Sequence, residues 1–192
     1  MAAQRVPSER KAELLEAAYR YALTNGIADL SLRPLAAAIG SSPRVLLYLF
    51  GSKDGLVRAL LARARADELE LLERLRGGNA GAGLPQALAV IWEWLADPAH
   101  RELLALWLEG YAQAVADPAG PWTGFAEQTV NDWLAVLEQF QAPGERRSPE
   151  GATRRALALA VLRGALLDLL ATGDLARTGA IVRQQIELLE AE

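Results

Sequence analysis

Side chains able to do covalent or metal chemistry are scarce. The chain has one histidine, His100, and no cysteine. That removes thiolate nucleophiles, disulfides, zinc–thiolate sites and iron–sulfur clusters together, and it leaves a Ser–His–Asp triad a single possible base. His100 stands beside Arg101 and Glu102 in the first turn of an expected helix, a surface-like setting. Glu93 and Asp97 have the spacing of neighbours on one helix face, yet with no histidine partner and no metal-ligand pattern they read as a solvated edge. No catalytic residue, cofactor or metal site is predicted, and the chain is expected not to be an enzyme.

Recognition chemistry is better represented. Residues 31–50 read as two short helices joined by a tight turn containing Gly40, the layout of a helix-turn-helix. Ala36 is small where such helices cross. Leu35, Ile39, Val45 or Leu46, and Leu49 can share a miniature core braced by the preceding helix. Ser41, Ser42, Pro43, Arg44, Leu47 and Tyr48 then lie toward the outer face of the second helix, whose N-terminal residues enter the DNA major groove in this motif. Arg44 is the strong base reader among them; bidentate contact with guanine O6 and N7 is worth about 1–3 kcal/mol of discrimination.

The elements that must position these groups are helical. Alanine and leucine dominate, β-branched runs are missing and the apolar spacing follows 3.6 rather than 2. About nine helices are expected: Ser8 to Thr24, Ser31 to Ala38, Ser42 to Leu49, Ser52 to Arg76, Leu84 to Leu95, Asp97-Pro98 to Ala116, Trp122 to Gln141, Ser148-Pro149 to Ala171, and a last one capped by Asp174. The run from Gly77 to Gly83 reads as the one flexible linker. The fold class is all-α, with an N-terminal three-helix DNA-binding domain at 1–55 and a helical body at 56–192.

Residues Arg10 to Leu56 resemble the N-terminal domain of TetR/AcrR-family transcriptional regulators. The resemblance is carried by Leu14-Leu15-Glu16-Ala17-Ala18, Asn25-Gly26, Leu30-Ser31-Leu32-Arg33, Leu35-Ala36, Ile39-Gly40-Ser41-Ser42 and the block Tyr48-Leu49-Phe50-Gly51-Ser52-Lys53-Asp54-Gly55-Leu56. It implies phosphate contacts from Ser31 and Lys53, a backbone or base contact from Tyr48, and a core role for Phe50. Arg33 joins the implied DNA-facing set or serves as a solvated face residue. Leu47 and Leu49 depart from the family, standing where tyrosine and histidine are frequent.

Charge agrees with a divided chain. Eight Lys/Arg against five acids put residues 1–60 at +3, while twelve against nineteen put the remainder at −7. With 192 residues, 52% of them hydrophobic and 23% charged, the chain can bury a real core. It contains no apolar stretch of the roughly 20 residues needed to cross a bilayer. No signal-peptide core is visible, so a cytoplasmic protein without a membrane partner is expected.

In the body, Trp92, Trp107, Tyr111, Phe125 and Trp133 lie on helical faces that either enclose an apolar ligand cavity or fill a core. The helix at 149–171 is apolar almost all round, with Ala156, Ala160 and Gly164 forming a small-residue ridge. With Ile181, Ile186 and Leu189 of the last helix it suits the dimer interface that the resemblance implies. The expected function is a dimeric regulator: a repressor on a palindromic double-stranded DNA operator, released by a small apolar or aromatic effector, with the fourth helix as lever. The alternative is a helical sensor or carrier with a non-functional helix-turn-helix.

Overall fold

Apolar spacings of three and four residues produce helices along the whole chain. The computed structural model describes residues 7–27, 29–77 and 81–191, and no strand occurs among them. Ten α-helices and one 3₁₀ turn follow in order: α1 (Pro7–Asn25), α2 (Leu32–Ala38), α3 (Pro43–Phe50), α4 (Lys53–Arg76), α5 (Leu84–Ala96), the 3₁₀ turn (Pro98–His100), α6 (Arg101–Ala116), α7 (Phe125–Phe140), α8 (Pro143–Arg146), α9 (Pro149–Thr172) and α10 (Leu175–Glu190).

Three expectations are corrected. The short α8 is an additional helix where Ala142-Pro143-Gly144 reads as a stop; Pro143 instead occupies a first helical position, where its missing N–H costs nothing. The helix expected from Trp122 begins at Phe125, because Thr123 Oγ1 donates to the carbonyls of Gly120 at 2.7 Å and Pro118 at 3.0 Å and holds the preceding segment in turns. His100 is half-buried: its ring stacks on Trp94 with centroids 4.0 Å apart, and its Nδ1 lies 2.9 Å from the Trp94 carbonyl. The Gly77–Gly83 linker falls partly outside the described residues.

The chain divides into two compact units. One runs to Asp67 and includes Glu102–Ala126; the other takes Glu68–Arg101 and the chain from Glu127 onward. In the first, Leu14, Ala18 and Ala22 of α1, Leu35 and Ala36 of α2, Leu46 and Phe50 of α3, and Leu56 and Leu60 of α4 are all buried. At the corner between α3 and α4, Ser52 Oγ accepts the Gly55 amide at 2.9 Å.

In the second unit, α5, α9 and α10 pack mutually around Leu88 and Ile91, which are fully buried. Arg101 donates to the Leu170 carbonyl at 2.9 Å. The α9–α10 turn is clasped by Arg177, which binds the Asp168 carboxylate. Gln141 is buried and donates to the Gly151 carbonyl at 2.9 Å, securing the approach to α9.

Candidate nucleic-acid interface

Local sequence builds α3 as a presenting helix. Ser42 caps it by accepting the Val45 amide at 3.3 Å, and Pro43 takes the first helical position. Gly40, at φ 63°, lets the chain reverse direction between α2 and α3. Leu46 and Phe50 point into the core, so the opposite face carries exposed Arg44, Val45, Leu47 and Tyr48. Tyr48 is 82% exposed, far beyond what a packing role for its ring would leave. Ser41, Ser42 and Pro43 are half-buried at the helix entry, so they contribute less surface than Arg44 and Tyr48.

A second cluster forms beside it. Ser31 stands at the cap position of α2, but its side chain makes no capping hydrogen bond. Ser31, Arg33 and Lys53 are exposed, and with Asp29, Leu30 and Leu32 they line an open depression of about 500 Å³. Two cations and a hydroxyl facing one hollow can hold a phosphate oxygen by charge-assisted hydrogen bonds. Asp29 escaped sequence reasoning because a lone acid in a turn carries no motif.

These elements are braced from behind. Arg63 of α4 binds Glu16 of α1 and Asp67 of α4, and its guanidinium lies 4.8 Å from the Tyr19 ring centroid. Tyr19 donates its hydroxyl to Asp67 at 2.8 Å. Burial, then the hydrogen bond to Asp67, pushes the Tyr19 phenol well above its ordinary value. The hydrogen bonds to Glu16 and Asp67 push Arg63 up as well, so both groups keep their neutral-pH charge states. Lys11 adds a contact 5.3 Å above the Phe50 ring.

The aromatic candidates are distributed over both units. Trp107, Tyr111 and Phe125 belong to the first, where Trp107 and Phe125 are buried and Tyr111 is half-buried. Trp122 joins them, since both Phe125 and Trp122 come within 3.3 Å of where a Cβ on Gly110 would lie. Trp92 and Trp133 belong to the second. Trp133 is buried and its indole donates to Glu68 at 2.7 Å, while the Trp92 indole nitrogen lies 3.7 Å from where a Cβ on Gly179 of α10 would stand. Glu68, fully buried, is a further residue that sequence reasoning missed. Its position in the apolar phase of α4 was the available signal.

Of the dimer candidates, Ala156, Ala160, Gly164 and Ile181 are exposed, whereas Ile186 and Leu189 are half-buried. Leu157, Leu167 and Leu188 extend the exposed apolar surface of α9 and α10. No helix among the described residues is long and apolar enough to cross a membrane.

Comparison with known proteins bears on both units. A model of the bacterial regulatory proteins of the tetR family matches residues 14–60. No curated protein matches the chain by sequence. Among solved structures, a TetR-family transcriptional regulator from Cytophaga hutchinsonii superposes with a TM-score of 0.78 at 16% identity, covering 96% of this chain and 95% of its own. A TetR transcription regulator from Haloarcula marismortui gives 0.73 at 18% identity, covering 96% and 98%. The multidrug binding protein EbrR, complexed with proflavin, gives 0.67 at 23% identity, covering 93% and 99%. At these identities the likeness establishes the fold, and the matched segment establishes the domain that carries α1 to α3. Residues 14–60 thus match the N-terminal domain of the tetR family of bacterial regulatory proteins, and the whole chain shares the fold of solved TetR-family transcriptional regulators.

Proposed function

We propose that the chain is a cytoplasmic homodimeric repressor that binds a palindromic operator and releases it when a small apolar or aromatic effector occupies the body. Residues 1–55 serve as the DNA-reading domain and 56–192 as the effector and dimerisation body. The observation that carries this reading is the outward face of α3, where Arg44 and Tyr48 stand exposed over a buried Leu46 and Phe50. Arg44 reads a guanine, Tyr48 contacts base or backbone, and Ser31, Arg33 and Lys53 hold flanking phosphates. Ser41, Ser42 and Pro43 shape the helix entry.

Dimerisation through α9 and α10 sets the spacing of the two recognition helices. They must lie about one DNA turn (~34 Å) or a multiple apart, so an effector that favours another spacing lowers operator affinity by its differential binding. The aromatic residues Trp107, Tyr111 and Phe125 of the first unit supply flat apolar surface for such an effector, and Trp92 and Trp133 are separate candidates within the second. The proflavin complex of EbrR supports an aromatic guest.

The test is fluorescence anisotropy with a labelled duplex from the region upstream of the chain's own gene. Binding that weakens steeply with salt is expected. Absence of binding at low salt overturns the reading and leaves a helical sensor or carrier with a non-functional helix-turn-helix.

A further inference from the structure

The turn between α1 and α2 is held from a distant part of the chain. Glu109, on α6, accepts the Ile27 amide on its Oε2 at 2.8 Å. It is a lone carboxylate in an otherwise apolar stretch, following Leu106, Trp107 and Leu108 and preceding Gly110. The contact is closely fitted: at Gly26 (φ +77°) a Cβ would stand 3.2 Å from both Glu109 carboxylate oxygens. Gly26 is therefore fixed twice, by its left-handed conformation and by the carboxylate lying against its open side. The Ile27 carbonyl accepts the Leu30 amide at 3.3 Å, both side chains are buried, and Ser31 follows directly. A charge-assisted bond thus sets the turn from which Ser31, Arg33 and the rest of α2 depart.

The next residue of α6 is seated without slack. A Cβ at Gly110 would lie 3.0 Å from Phe125 Cε1, 3.3 Å from Trp122 Cζ3 and 3.4 Å from Leu61 Cδ2. Not even a methyl group enters there without displacing α6 or the rings. Glu109 is adjacent, so such a displacement moves its carboxylate relative to the Ile27 amide.

We propose that Glu109 is a positioning residue for DNA binding, a latch through which α6 holds the α1–α2 turn in its DNA-competent shape and which opens when the packing around Gly110 is wedged apart. The proposal rests on the regulator reading above. The carboxylate touches no DNA. It acts by fixing the backbone that presents Ser31 and Arg33.

A double-mutant cycle tests it, with Gly110→Ala as the wedge. Affinity for the labelled upstream duplex is measured for wild type, Glu109→Ala, Glu109→Gln, Gly110→Ala and the Glu109→Ala/Gly110→Ala pair, each checked for an unchanged far-ultraviolet spectrum. Glu109→Ala should weaken binding about tenfold, while Glu109→Gln, which still offers a carbonyl to the Ile27 amide, should stay within about threefold of wild type. Gly110→Ala should weaken binding comparably in the wild-type background and add less than about twofold once Glu109 is gone.

Simple additivity of the two changes, or wild-type affinity for Glu109→Ala, overturns the latch. Hydrogen exchange at the Ile27 amide judges it independently of DNA: Gly110→Ala should speed exchange there, and unchanged protection overturns the proposal. If wild type itself fails to bind the duplex, the regulator reading falls while the exchange result still decides the contact.

Discussion

Two helices of this chain leave apolar side chains in solvent, and they do so in different company. On α3 the exposed Val45, Leu47 and Tyr48 are interleaved with Arg44, and the exposed cation Lys53 follows three residues after the helix ends. On α9 every exposed residue from Ala156 to Leu167 is apolar or glycine: Ala156, Leu157, Ala160, Gly164 and Leu167. The first surface mixes methyl groups with donors, as a groove lined by thymine methyls and phosphates requires. The second is smooth and uncharged, suited to the close approach of another helix. Exposed apolar area is therefore not one signal here; its rim chemistry separates the face proposed to meet nucleic acid from the face proposed to meet another helix.

Charging the smooth surface should break the comparison most severely. Ala160→Glu should weaken dimerisation at least about 100-fold, since burying an unpaired carboxylate costs about 3 kcal/mol or more. Light scattering across a concentration series reads this, and a dimer that survives would remove α9 from the interface. The mixed surface is sharpened by Arg44→Ala, which should lose about 1–3 kcal/mol of preference for the specific site while leaving random duplex binding nearly intact. Equal losses on both duplexes would reassign Arg44 from base to backbone.

Lys53→Ala should instead weaken all duplexes alike and reduce the salt slope by about 1. An unchanged slope would place Lys53 away from phosphate.

The smallest effect concerns the brace behind α3. Tyr19→Phe removes the hydrogen bond to Asp67 and should cost about 1 kcal/mol at neutral pH. The folded Tyr19 phenol titrates above its unfolded value, so its contribution is complete below about pH 10 and lost as pH rises further. The melting temperature of wild type should accordingly fall more steeply than that of Tyr19→Phe between about pH 10 and 11.5. Parallel curves would show that the hydrogen bond contributes nothing measurable to holding α1 on α4.

Helix boundaries were legible wherever capping chemistry announced them. Ser42-Pro43 and Ser148-Pro149 start α3 and α9, and Ser52 with Gly77 brackets α4. The α8 turn was hidden because Pro-Gly begins a turn as readily as it ends a helix. The exposure of Arg44, Tyr48 and Lys53 was legible for a related reason: with Ser31 and Arg33 they lie within 23 positions of one another on short helices, so local periodicity nearly determines which side faces out. The aromatic set was not.

Periodicity assigns Trp92, Trp107 and Trp133 to helix faces but says nothing about what lies opposite. Trp133 meets Glu68 and Trp92 lies against Gly179, pairings made over separations of 65 and 87 residues. Glu109 was invisible for the same reason, since its partner is a backbone amide 82 positions away.

The corner at Gly55 bears on how any such signal ends. A Cβ built there would fall 2.1 Å from the Phe50 carbonyl oxygen, so the last turn of α3 and the first turn of α4 touch through bare backbone. Bare backbone contact has no rotamers to absorb movement. The last turn of α3 and the first turn of α4 therefore form a stiff elbow, and any movement of one at this corner must be shared by the other. Substitutions at Gly55 should therefore be among the least tolerated in the chain.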